Sequence, residues 1–192
     1  IVVGKTHTVE YAFGGWGTNP VAGTPVNPHD AVTHRVPGGS SSGTGVAVGA
    51  GLVPIGFGTD TGGSVRLPAA WCGTVGHKTS MGLVSRAGVV PLALHFDTIG
   101  PLSRTVRDAA VMSQVMLGSD PADGSTRGAP GLDLVTGLGA GVAGLTVGVL
   151  AIDPSIAVDG EVAARFDAAV AALEKAGARI VPVSLPETLS AY

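Results

Sequence analysis

The sequence has 192 residues, a net charge of −3, only 13% charged residues and no arginine- or lysine-rich block. That balance argues against a nucleic-acid surface or a polybasic membrane site in this segment, and no apolar run reaches the ~20 residues needed to span a bilayer. With 45% hydrophobic residues and a mean hydropathy of +0.42, the chain either buries much of itself or presents a surface to a partner.

Taken in chain order, Ile1-Val2-Val3 reads as a short buried strand. It opens without an initiator Met or a polar lead-in, so a segment of a longer chain is expected. Thr8 to Phe13 can open a helix, which Gly14-Gly15 breaks. Residues 17–39 carry Pro20, Pro25, Pro28 and Pro37 and read as an extended loop. Thr44 to Leu52 holds small side chains, and its glycines disfavour a helix unless it packs closely against a sheet. Ile55 to Gly58 is a short strand. Thr105-Val106-Arg107-Asp108 resembles a capping box with Asp in place of Glu, starting a helix that ends at Gly118. Residues 119–144 form a Gly-, Pro- and Asp-rich connection. Leu145 to Leu150 is a strand. Asp159 caps a helix with Val162, Phe166, Val170 and Leu173 on one face, and Ala178 to Val183 returns as a strand. This βαβ tail, 145–185, implies α/β architecture. The 31 glycines follow no fixed period, which argues against collagen and simple repeats. No linker interrupts the chain, so one domain is expected.

Several motifs fail on context. Gly4-Lys5-Thr6 lacks the earlier glycine of a phosphate loop. Gly139-Ala140-Gly141-Val142-Ala143-Gly144 fits G-x-G-x-x-G, but a strand follows where dinucleotide binding needs a helix. Gly39-Ser40-Ser41-Ser42-Gly43 fits the G-x-S-x-G elbow, yet a Pro-rich loop precedes it and no histidine follows His95. The five histidines form no helical metal-ligand pair. Cys72, the single cysteine, lies in an apolar stretch and reads as a small buried hydrophobe; one thiol fits a reducing, cytoplasmic setting.

The stretch from Gly38 to Gly73 carries two Gly- and Ser-rich knots, GGSSSG and TGGS, around an apolar run. It resembles the amidase signature family, whose signature reads roughly GGSSGGS…GTDTGGS(I/V)R.PAA.CG. The matches are Gly38-Gly39-Ser40-Ser41, Gly58-Thr59-Asp60-Thr61-Gly62-Gly63-Ser64-Val65-Arg66, Pro68-Ala69-Ala70 and Cys72-Gly73. Gly88 to Leu92, Asp97 to Pro101 and Arg104 to Ala110 are similar to the family as well. The signature core is 38–118. Ser42 stands where Gly is common, and His77-Lys78-Thr79-Ser80 replaces Leu-Lys-Pro-Thr.

The resemblance implies an incomplete portion of one amidase signature domain over 1–192, with a mixed β-sheet core covered by α-helices. It implies an amidase cleaving a carboxylic amide C–N bond through a Ser acyl-enzyme and a Ser-cisSer-Lys triad. Carried over by position, Ser64 is the nucleophile and Ser40 the proton relay, with their hydroxyls within hydrogen-bond reach and a cis bond between Gly39 and Ser40. Thr61, Gly62, Gly63 and Ser64 supply the oxyanion hole, where glycines permit N–H groups to converge. Gly39, Ser41, Asp60 and Arg66 support the site, with Asp60 and Arg66 as an ion pair. None of Lys5, Lys78 and Lys175 stands at the family's catalytic lysine, so that base is expected outside this sequence. No metal or cofactor is implied. The substrate is a small-molecule amide, without nucleic acid or membrane, and a homodimer is left open. Phe13, Trp16, Trp71 and His95 are pocket candidates, with packing as the default for each. The alternatives are the amidase component of a tRNA-dependent amidotransferase and an inactive relative.

Overall fold

The structure, a computed structural model, describes residues 1–151 and 156–184. Residues 152–155 and 185, which the βαβ reading includes, lie outside the described residues. The chain divides into two compact units, Ile1–Gly137 and the part from Leu138 onward.

The first unit is built on a three-stranded antiparallel sheet in the order β1-β3-β2, with β1 at Ile55–Asp60, β2 at Val75–Gly76 and β3 at Thr98–Ser103. The β1–β3 register runs from Ile55 opposite Ser103 to Asp60 opposite Thr98. Helices α1 (Ser42–Gly49), α2 (Arg66–Cys72) and α3 (Val106–Met116) belong to the same unit. Val48, Val65, Ala69 and Leu102 are buried together as its core, with Val53 packed against them. The stretch 44–52, where glycines disfavour a helix unless it packs closely against a sheet, falls largely in α1 at Ser42–Gly49, and glycines in the facing strand are what allow it to lie close to the sheet. A Cβ on Gly56 would stand 2.7 Å from Thr44 Cγ2, and one on Gly58 would stand 2.8 Å from Ser41 Cβ.

The outer edge of β1 is covered by hydroxyls rather than by another strand. The Ser41 hydroxyl lies 3.3 Å from both the N–H and the carbonyl of Thr59, and Thr44 Oγ1 donates to the Phe57 carbonyl at 2.9 Å. Side-chain partners of this kind blunt an otherwise open edge. The capping prediction holds at α3: Thr105 Oγ1 accepts from the Asp108 N–H at 3.1 Å, and Gly118 follows Leu117, the C-cap, with φ +142°.

Two expectations near the start differ from the structure. Ile1, Val2 and Val3 are exposed and form no strand, because no neighbouring strand among the described residues offers them a ladder. Thr8 to Phe13 yields only a 3-10 turn at Glu10–Ala12, in which Tyr11 and Ala12 take positive φ. The backbone there is committed to the first knot: the Val9 N–H donates to the Ser40 carbonyl at 3.1 Å.

The second unit is a βαβ element. Strands β4 (Thr146–Leu150) and β5 (Arg179–Val183) pair in parallel, and α4 (Gly160–Lys175) connects them. Asp159 caps α4 by accepting from the Glu161 N–H at 2.8 Å. The expected apolar face is only partly used. Val170 and Leu173 are half-buried, whereas Val162 and Phe166 are 60% and 42% exposed. Within this unit, two strands cover only part of the helix.

Candidate active site

The two knots lie side by side. The Ser41 N–H donates to the Ser64 carbonyl at 3.2 Å, so main chain joins the first knot to the second. The Gly39–Ser40 peptide is cis, as the resemblance implied. Gly39 is packed so tightly that a Cβ would stand 2.7 Å from both the Gly14 carbonyl oxygen and the Gly17 nitrogen. Its N–H donates to the Gly15 carbonyl at 2.8 Å, and that of Gly38 to the Trp16 carbonyl at 3.1 Å. Side-chain-free residues are therefore needed on both sides of this turn.

Ser40 is 2% exposed. It borders a cavity of about 590 Å³, also lined by Thr6, Thr8, Ser41, Thr44 and Thr59. Hydroxyls dominate the polar part of this wall, and none of its lining residues is charged. Ser64 is half-buried and is not among them. The Ser40 and Ser64 hydroxyls are expected within hydrogen-bond reach. Among the described residues no hydrogen bond joins them, and the link between the knots is the backbone bond from Ser41.

Asp60 organises the second knot. Its carboxylate is fully buried and accepts from the N–H groups of Gly63 at 2.8 Å, Val65 at 3.1 Å and Arg66 at 3.3 Å. Arg66 Nε and Nη2 add two more bonds, both at 3.0 Å, completing the expected ion pair. Burial by itself raises the Asp60 carboxyl. The Arg66 guanidinium and the three N–H groups outweigh it and hold the group below the usual carboxylate value. Asp60 also changes the expected oxyanion set: the Gly63 N–H is already engaged by this carboxylate. Among the described residues, the N–H groups of Thr61, Gly62 and Ser64 donate to no protein acceptor.

Sequence reasoning misses a third element of the site. Thr61 Oγ1 donates to Asp97 Oδ1 at 2.5 Å. Along the chain, Asp97 stands out only as part of a family-like string. Its partnership with a residue 36 positions away leaves no local pattern, because it arises where the ends of β1 and β3 meet. A smaller cavity of about 180 Å³ lies beside Asp97 and Arg86. The pocket candidates do not line either cavity. Phe13 is 81% exposed, and Trp16 pairs with Trp71 at a ring-centroid distance of 5.6 Å. Lys78 Nζ donates to the Thr79 carbonyl at 2.9 Å, and no lysine lines the cavity at Ser40. Among the described residues no group of three or more His, Cys, Asp or Glu is placed to hold a metal ion, and no helix is long and apolar enough to cross a membrane.

A family model described as Amidase matches residues 1–192. A glutamyl-tRNA(Gln) amidotransferase subunit of Rubrobacter xylanophilus is 46% identical over 187 residues, covering 97% of this chain and 38% of the relative. A 2-amino-5-chloromuconic acid deaminase of Comamonas testosteroni is 46% identical over 198 residues, covering 100% of this chain and 39% of that protein. The crystal structure of a glutamyl-tRNA(Gln) amidotransferase subunit from Thermotoga maritima superimposes with a TM-score of 0.92 at 40% identity, covering 97% of this chain and 40% of that one. The chain therefore spans about two fifths of the length of these relatives.

Proposed function

The chain belongs to the amidase signature family, and on that premise we propose that the complete protein hydrolyses a carboxylic amide by acyl transfer to Ser64. The observation that carries this reading is the second knot itself. Ser64 follows two glycines, and the N–H groups of Gly62 and Ser64 are left without protein acceptors among the described residues.

In this mechanism the Ser64 hydroxyl attacks the amide carbon as its proton passes to the Ser40 side. The C–O bond forms, and the carbonyl oxygen takes up negative charge facing the free N–H groups. One such donor is typically worth about 2.7–4 kcal/mol in the transition state. The C–N bond then breaks, and Ser40 delivers the proton to the departing amine. Water adds to the ester carbon, and the same relay returns the proton to Ser64 as the acid leaves. A serine hydroxyl needs a base to act as nucleophile. By resemblance that base is a lysine outside residues 1–192, working through Ser40. Asp60 and Arg66 hold the loop, and Gly39 and Ser41 hold the first knot. The 192 residues are read as part of one amidase signature domain, and the single buried thiol of Cys72 supports a cytoplasmic setting.

The test uses the protein expressed from its complete gene, assayed on an aryl amide that releases a chromophoric amine. Ser64→Ala is expected to abolish turnover. Ser40→Ala is expected to leave a small residual rate, because water can partly replace a relay but not a nucleophile. A near-native rate in Ser64→Ala overturns the mechanism.

A second reading is supported by the amidotransferase subunits among the relatives. In it the same chemistry releases ammonia from an amide within a multi-subunit enzyme. Size-exclusion chromatography of the complete protein, alone and with candidate partner subunits, separates the two. A protein that runs alone in every mixture and turns over free amides excludes this second reading.

A further inference from the structure

The Gly62-Gly63 pair cannot hold its own conformation. A Cβ on Gly62 would meet nothing within 4 Å, and neither glycine has a side chain to pack. The N–H groups around it must therefore be aimed from the two ends of the loop. The downstream end is clamped by Asp60, through Gly63, Val65 and Arg66. The upstream end is Thr61, whose hydroxyl donates to Asp97.

Asp97 is well made for this. It is 8% exposed, and hydrogen bonds at both carboxylate oxygens fix its plane. Oδ1 accepts from Thr61 Oγ1 at 2.5 Å and from the Ala93 N–H at 3.0 Å. Oδ2 accepts from the N–H groups of Leu92 at 2.9 Å and Ala93 at 3.0 Å. An ionised carboxylate only accepts, so the Thr61 hydroxyl proton is committed to Asp97 and its side chain is held in one rotamer. The turn carrying Asp97 is fastened in its own right. Arg86 Nη1 donates to the Leu94 carbonyl at 2.6 Å and to the Asp97 carbonyl at 3.4 Å, while the Arg86 N–H donates to Asp123 Oδ2 at 2.8 Å. A chain of polar contacts thus runs from Asp123 through Arg86 and Asp97 to the first residue of the second knot.

We propose that Asp97, acting through the Thr61 hydroxyl, is a positioning residue that aims the Gly62 and Ser64 N–H groups at the developing oxyanion. The proposal rests on the reading of Ser64 as nucleophile and adds a residue outside both knots to it. Its effect falls on the transition state, because the oxyanion exists only there. The substrate's ground state should hardly register the change.

The experiment compares Thr61→Val, Thr61→Ser, Asp97→Asn and the Thr61→Val/Asp97→Asn double variant in the complete protein, with Ser64→Ala as the reference for chemistry. Thr61→Val removes only the hydroxyl and keeps the side-chain shape. It is expected to lower kcat about 10-fold with KM changed less than about 2-fold, a fraction of the loss seen when an oxyanion donor is deleted outright. Thr61→Ser restores the hydroxyl and is expected to recover most of that rate. Asp97→Asn also disturbs the bonds from the Leu92 and Ala93 N–H groups, so the double variant is expected to fall no further than Asp97→Asn alone, because the Thr61 hydroxyl then has no carboxylate left to lose. If Asp97→Asn fails to fold, the Thr61 pair and its kcat and KM values still decide. A wild-type kcat in Thr61→Val, a loss confined to KM, or additive losses in the double variant each overturn the proposal. An active Ser64→Ala instead overturns the underlying assignment of the nucleophile, so the two failures are distinct.

Discussion

Replacing Asp60 by Asn is the most severe single-atom test of the second knot. One carboxylate oxygen becomes an NH₂ group while the volume is kept. In one orientation the new amide faces the N–H groups of Val65 and Arg66 and Arg66 Nε. In the other it faces only the Gly63 N–H and Arg66 Nη2. The second orientation is the better one, and it loses two bonds. The Gly63 N–H is buried and left unsatisfied, at about 1–3 kcal/mol. The Arg66 side chain is 53% exposed, so water takes over much of its lost pairing and adds at most about 1 kcal/mol. The expected destabilisation is therefore about 1–4 kcal/mol, a large part of the ~5–15 kcal/mol that holds a domain together. Urea unfolding of the complete protein and the variant measures it, as a fall in midpoint at constant slope. A difference below about 1 kcal/mol refutes the reasoning. The pH dependence is a second check. Asp60 has a folded pKa below its ordinary 3.8. Its contribution is complete above that ordinary value and is lost as pH falls through the lower folded value. The gap between wild type and Asp60→Asn should therefore close in acid below pH 3.8 and stay constant above it.

Burial pushes the Cys72 thiol up to about 11, so iodoacetamide at about pH 8 should leave it unmodified in the native protein and label it in urea. Rapid labelling of the folded protein would contradict its burial. Gly49→Ala puts a Cβ 2.6 Å from the Cys72 carbonyl oxygen, between α1 and α2. It should lower stability by about 1–3 kcal/mol net, despite alanine's better helix propensity, and an unchanged or higher Tm argues against the close packing described.

Much of the fold is legible where the signal is local. Thr105 and Asp159 cap the helices they are expected to cap, because a capping side chain acts within three residues of itself. The β4-α4-β5 unit follows from apolar periodicity. Helix α2 and strand β3 escape a reading of the sequence alone. Arg66–Cys72 contains Pro68, which reads as a breaker but sits within the first turn, where no helical N–H is needed. Thr98–Ser103 contains Gly100 and Pro101, and pairing with β1 on one side and β2 on the other overrides that local preference. For the site, the two knots stand out along the chain as Gly- and Ser-rich clusters, and their pairing, with the Asp60–Arg66 support, is read through the family resemblance. The Thr61–Asp97 contact spans 36 residues and leaves no pattern along the chain; the use of the Gly63 N–H by Asp60 is local, three residues away, and is missed because Asp60 is read only as the partner of Arg66.

The bond from the Ser41 N–H to the Ser64 carbonyl has a consequence for how such a scaffold can change. Neither atom belongs to a side chain, so alignment of the two serines does not depend on their hydroxyls. Exchange of Ser64 or Ser40 for alanine leaves that bond, the covered edge of β1 and the Asp60 clamp in place. On the proposed mechanism, catalysis and architecture are therefore under separate control in this segment. Under the proposed function, a descendant that lost turnover in one step would still present the same cavity, ready to be kept for holding an amide rather than cutting it.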